Sequence, residues 1–107
     1  MPPGAIHEYA ERIMAVIRTN EFRAAPGKAA DLRAFLAGVV EIIAGAPGCE
    51  QVQLLVAREE PDRLAIVERW TSVEAHQAAA SLISKEQMAA FMPLIAEPPV
   101  GRYYDPA

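Results

Sequence analysis

The sequence predicts an α+β sandwich in which two helical segments cover one face of an antiparallel sheet. Three observations lead there. Two stretches with apolar residues at helical spacing each follow an apolar strand-like run, a polar "EPD" turn at 60–62 joins two such runs into a hairpin, and a short aromatic run "VGRYYD" closes the chain.

Taken in order, "IMAVIRTNEFR" from Ile13 to Arg23 is rich in β-branched and apolar residues and reads as a strand, with Met14, Val16, Arg18, Asn20 and Phe22 on one face. Pro26-Gly27 breaks it. Leu32, Phe35, Leu36, Val39, Val40 and Ile43 then recur at the spacing of an amphipathic helix, and "AGAPG" at 44–48 ends that helix with a C-cap glycine and a proline stop. "CEQVQLLVARE" is the second strand, with Val52, Leu54 and Val56 on one face, and "RLAIVERW" is its hairpin partner. Thr71 and Glu74 have the spacing of a capping box, as do Ser84 and Gln87, which predicts a helix in two pieces ending near Pro93. After Pro98-Pro99 comes the final strand. Strand, helix, strand, strand, helix, strand is the split β-α-β order of a ferredoxin-like sandwich. Residues 1–12 are expected as an N-terminal extension and residues 13–107 as one domain. The sheet face away from the helices carries Ile13, Ala15 and Ile17 or their alternating counterparts. A wide apolar face of this kind predicts a homodimer with sheets packed face to face.

Composition narrows the function. Apolar residues make up 52% of the 107 positions and charged residues 22%, which describes a chain that folds. A net charge of -4 with scattered cations argues against a nucleic-acid surface. No apolar run reaches a membrane span and the N-terminus lacks signal-peptide order, so a cytoplasmic protein is expected. The single cysteine, Cys49, reads as a small buried hydrophobe. His7 and His76 are the only histidines, too few for a convincing structural zinc site.

Four pieces, "NEFRAAPGK", "APGC", "ERWTSVEAHQA" and "PPVGRYYD", together with this element order, resemble the antibiotic biosynthesis monooxygenase family of dimeric α/β barrels. The resemblance implies either cofactor-free oxygenation of phenolic rings to quinones or, in a second branch, haem degradation. Both branches place an Asn on the first strand and a Trp at the end of the third beside the pocket, positions that Asn20 and Trp70 match. The haem branch also requires a His ten residues beyond the Trp, where this chain has Ala80.

The candidate catalytic residues are therefore Asn20, Trp70 and His76. Asn20 is either the amide that holds a substrate phenol or carbonyl oxygen or a satisfied amide at a strand end. Trp70 lines a pocket or serves as core. His76 has the ordinary pKa of a base at neutral pH, but a lone helical His is also a common half-exposed structural residue. Glu68, beside Trp70, is a rival base whose pKa an apolar pocket would raise. Arg18, Phe22, Glu68, Ala80 and Met88 are the expected substrate contacts. Arg18 and Arg102 read equally as strand-edge or dimer salt bridges, Tyr103 and Tyr104 as one side chain in and one out, and Met88 and Met92 as fillers of core or pocket gaps. The expected activity is a monooxygenase with no bound cofactor or metal, acting on a small aromatic with O2. The alternatives are a non-catalytic dimer that binds a small hydrophobic ligand and, third, a haem-degrading relative.

Overall fold

Register decides which side chains of this chain meet. The first strand, β1 (Val16–Arg23), lies antiparallel between β3 (Arg63–Trp70) and β4 (Val100–Tyr104), and β3 pairs in turn with β2 (Cys49–Val56), giving the sheet order β2-β3-β1-β4. This computed structural model describes residues 15–107. The extension expected over residues 1–12, together with Ile13, Met14 and His7, lies outside them.

Because strand side chains alternate, directly paired residues share a face. Val16 opposite Trp70, Arg18 opposite Glu68, Asn20 opposite Ile66 and Phe22 opposite Leu64 therefore all face one way. Val52, Leu54 and Val56 join them from β2, and Gly101 and Tyr103 from β4. This face is covered by α1 (Ala29–Ala44), α2 (Val73–Ala80) and α3 (Lys85–Phe91), with a single 3-10 turn over Met92–Leu94. The result is the ferredoxin-like α+β sandwich that the element order predicts.

Two local expectations change. The left-handed glycine between α1 and β2 is Gly48, at φ +87°, whereas Gly45 caps the helix in an ordinary right-handed conformation. A Cβ on Gly48 would sit 2.7 Å from the Ala75 Cβ and 2.8 Å from the Thr71 Oγ1, so the residue is held by both backbone angle and space. The Gly48 carbonyl accepts from the Thr71 N–H at 2.9 Å, and this contact moves the helix start. Ser72, not Thr71, caps α2, its hydroxyl accepting from the Ala75 N–H at 3.1 Å. The Ser84–Gln87 capping box forms as expected and starts α3.

The core falls into two clusters. Leu32, Leu36, Leu64, Ile66, Phe91 and Ala24 fill one end of the sandwich, while Val16, Ala46, Trp70 and Ala79 fill the other. On β3, one core-facing residue stands between Ile66 of the first cluster and Trp70 of the second. That residue is Glu68.

Candidate active site

Alternation along Leu64, Ile66, Glu68 and Trp70 places a carboxyl group where the pattern calls for a hydrophobe, and Glu68 is 1% exposed. Burying a charge costs several kcal/mol unless hydrogen bonds and opposite charge offset it. The offsets are visible. The Trp70 indole N–H donates to Glu68 Oε1 at 2.7 Å, two residues along the same strand. Asn20, across the β1–β3 pairing, offers Glu68 a further hydrogen bond, and the Arg18 guanidinium directly opposite supplies positive charge. Burial still dominates, raising the Glu68 carboxyl above its ordinary value, while the Trp70 bond, the Arg18 charge and the Asn20 bond pull the other way.

His76, on the first turn of α2, stands over this group. Its Nε2 is 3.9 Å from Glu68 Oε1, and its Nδ1 is 2.6 Å from the Tyr103 hydroxyl. The ring meets Trp70 edge to face at 5.6 Å and Tyr103 at 5.3 Å. Burial, and secondarily the Arg18 charge, push the His76 pKa below its usual 6.5. The imidazole is then neutral near pH 7, so its approach to Glu68 is a contact between potential proton carriers and not a salt bridge.

Arg18 does not sit at a strand edge, since β1 is interior to the sheet. Its Nη2 donates to Asn20 Oδ1 at 3.2 Å and its guanidinium lies 4.7 Å from the centre of the Tyr103 ring. Gly101 makes room for this arrangement: a Cβ there would come within 2.0 Å of the Arg18 Nη2. Arg102, by contrast, faces the opposite side of the sheet and approaches Glu21 at 3.7 Å, the salt bridge expected of it. Tyr103 points to the helices and Tyr104 away from them.

Between this polar group and the helices lies a cavity of about 190 Å³. Phe35, Leu36, Val39 and Ile43 of α1 form its roof, and Phe22, Ile66 and Trp70 its floor, with Asn20, Glu68 and His76 as its polar groups. Ala79 and Ala80 of α2, then Ile83, Met88 and Phe91, complete the wall. Of the residues singled out in the sequence, Asn20, Phe22, Glu68, Trp70, His76, Ala80 and Met88 all border this space, and Arg18 does not. Met88 is 49% exposed and lies at the rim, while Met92, at 58%, fills neither core nor cavity. The sequence reading gave Tyr103 no specific role and passed over Gly101. Their signal was parity, since both lie two-residue steps apart on β4, opposite Asn20 and Arg18.

Cys49 is half-buried beside the Trp70 cluster, and burial first, then the Glu68 charge, raises its thiol pKa, which suits packing better than nucleophilic chemistry. Among the described residues no group of three His, Cys, Asp or Glu side chains is placed to hold a metal ion, and no helix is long and apolar enough to cross a membrane.

A sequence model described as antibiotic biosynthesis monooxygenase matches residues 15–93, which includes every cavity-lining residue. The chain belongs to the antibiotic biosynthesis monooxygenase family. Solved structures agree. One described as a putative antibiotic biosynthesis monooxygenase from Chloroflexus aurantiacus is 31% identical, with a TM-score of 0.72 over 87% of this chain and 93% of that one. A conserved protein from Methanosarcina mazei superposes with a TM-score of 0.80 at 15% identity, over 91% of this chain and 97% of that one. SnoaB from Streptomyces nogalater, described as a cofactor-independent oxygenase, gives 0.73 at 20% identity over 87% and 93%, a likeness of fold. No curated protein matches the sequence. Within the family frame, the position that haem degradation needs as an iron ligand is the methyl group of Ala80 on the cavity wall, and His76 Nδ1 is engaged by Tyr103. Ala80 offers no ligating atom.

Proposed function

We propose that this protein is a cofactor-independent monooxygenase that oxidises a small phenol- or quinol-type aromatic with O2. The observation that carries the proposal is the buried Glu68 carboxyl, its proton affinity raised by burial, on the wall of a largely apolar cavity whose other polar groups are Asn20 and His76. A carboxylate in that position costs stability, and general-base catalysis is a use that repays the cost, because its proton affinity is brought nearer to neutral pH.

The chemistry needs no added electron source. Glu68 takes the phenol proton, and the resulting phenolate, rich in charge at a ring carbon, transfers an electron to O2. Recombination at that carbon gives a peroxide anion, which takes a proton from Glu68 to become the ring hydroperoxide. Loss of the remaining hydrogen on the same carbon, with cleavage of the O–O bond, releases water and leaves the quinone, so one phenol and one O2 give one quinone and one water. Asn20 is assigned to the phenolate oxygen, Trp70 to holding Glu68 and covering the ring, and the apolar wall to keeping water from the peroxide. The cavity volume of about 190 Å³ falls below the roughly 300–1,000 Å³ of sites for drug-sized ligands, in keeping with a small substrate.

The proposal includes a homodimer formed through the helix-free sheet face. Leu55, Val100 and Tyr104 lie there, 41%, 44% and 49% exposed, next to Ile17 and Val67.

Oxygen uptake by the purified protein against anthrones, naphthols and hydroquinones, with Asn20→Ala and Trp70→Phe alongside, tests the activity. Consumption well above the uncatalysed rate and reduced in both variants supports the oxygenase. A wild type no faster than buffer across the panel moves the assignment to a dimer that binds a small hydrophobic ligand without turnover.

A further inference from the structure

A base buried as deeply as Glu68 raises a second question, which is where its proton goes. Glu68 is 1% exposed, so a proton that it exchanges with solvent needs a path through other groups. One line of polar atoms leads outward. From Glu68 Oε1 it runs 3.9 Å to His76 Nε2, through the ring to Nδ1, and 2.6 Å on to the hydroxyl of Tyr103, a residue that is 38% exposed as a whole.

We infer that His76 and Tyr103 form a proton relay between the buried Glu68 carboxyl and solvent. On the outward passage the Glu68 carboxylic acid gives its proton to His76 Nε2, the proton on Nδ1 passes to the Tyr103 oxygen and the Tyr103 hydroxyl proton passes to water; the reverse passage, which returns a proton to Glu68 for the peroxide, restores Nδ1–H. One proton enters and one leaves, with no change of oxidation state. The first gap exceeds a hydrogen bond, and a shift of about 1 Å in the His76 side chain, within ordinary thermal motion, closes it. Among the described residues, the charged groups acting on the imidazole are Arg18 and Glu68, and both favour transit. Arg18 on β1 disfavours a resident imidazolium, so His76 passes the proton on, and Glu68 on β3 supplies it. Arg18 also stacks on the Tyr103 ring and fixes the hydroxyl over Nδ1, which makes Tyr103 a positioning and relay residue and not a catalytic one.

The relay builds on the oxygenase reading but can be tested without any substrate. The chain has one tryptophan, and its indole N–H, fully buried, is bonded to Glu68 Oε1. Deuterium from solvent reaches that site through the relay, so NMR exchange of the Trp70 indole proton reads the path directly. In Tyr103→Phe and His76→Gln, indole exchange is expected to slow by about tenfold or more, with backbone amides of β3 unchanged. Equal indole rates in wild type and Tyr103→Phe, or indole and amide rates that change together, would overturn the relay. If a substrate of the oxygen-uptake panel turns over, Tyr103→Phe should lower kcat and not KM, with partial recovery in concentrated imidazole buffer; a loss that imidazole does not restore also counts against the relay. A protein that consumes no oxygen but shows the exchange effect retains the relay and loses the oxygenase.

Discussion

The Trp70 indole N–H and the Glu68 carboxylate meet at 2.7 Å on the same face of β3, the tryptophan fully buried and the glutamate nearly so. A single strand thus supplies both the buried acid and the donor that makes its burial tolerable. Trp70 belongs to the core and to the site at once, and a change at Glu68 should separate stability from activity.

Glu68→Gln keeps an oxygen that accepts from Trp70 and removes the need to bury charge. At pH 8 it should raise stability by about 1 kcal/mol, about 4–8 °C in Tm for a domain of this size, while oxygen uptake falls by about 10²-fold or more. Calorimetry beside the oxygen electrode reads both. A variant that loses Tm and activity together would show that Glu68 is structural.

Stability against pH follows from the same two shifts. Glu68 has a raised folded pKa, so its contribution is complete below the unfolded value near 4.5 and is lost as pH rises through the folded value. His76 has a lowered folded pKa, so its contribution is present above 6.5 and is lost as pH falls through the folded value. Urea titrations should therefore show stability rising with pH up to about 6.5 in Glu68→Gln and falling with pH from about 4.5 in His76→Gln. Identical slopes in the two variants would remove both assignments.

Trp70→Phe deletes the donor and leaves Glu68 short of a partner. A loss of about 2 kcal/mol or more is expected, since a hydrogen bond to a charged group and part of a packed ring vanish together. The alkaline shift of any pH–rate profile is the sharper readout, because the Trp70 bond lowers the Glu68 pKa.

Ala80 borders the cavity from an exposed position on α2. Ala80→Leu should raise KM for aromatic substrates severalfold and leave stability within about 0.5 kcal/mol, as surface changes usually do. An unchanged KM would mean that substrate enters by another route.

Light scattering should give a dimer for the wild type and a shift toward monomer for Leu55→Glu, which places a charge on the exposed sheet face. A monomeric wild type would leave that face without the partner assigned to it.

Much of this protein is legible along the chain, because local rules wrote it. Alternation fixed the faces of β1 and β3, three-and-four spacing fixed α1, and Ser84 with Gln87 fixed the start of α3. Spacing along β3 puts Glu68 and Trp70 on one side, and the β1–β3 register adds Asn20 to it. Where a contact between distant residues competed with a local signal, the contact won: the Gly48 carbonyl took the Thr71 N–H, and the helix cap passed to Ser72. The meeting of His76 with Tyr103, twenty-seven residues apart, depends on β4 returning beside β1 with Gly101 leaving space for Arg18, and no local pattern encodes that return. Sequence determined which groups face inward. Only the packing of α2 over β1, β3 and β4 decided which of them touch, because proton affinities and hydrogen bonds are set by distance and burial, and both are properties of the folded chain.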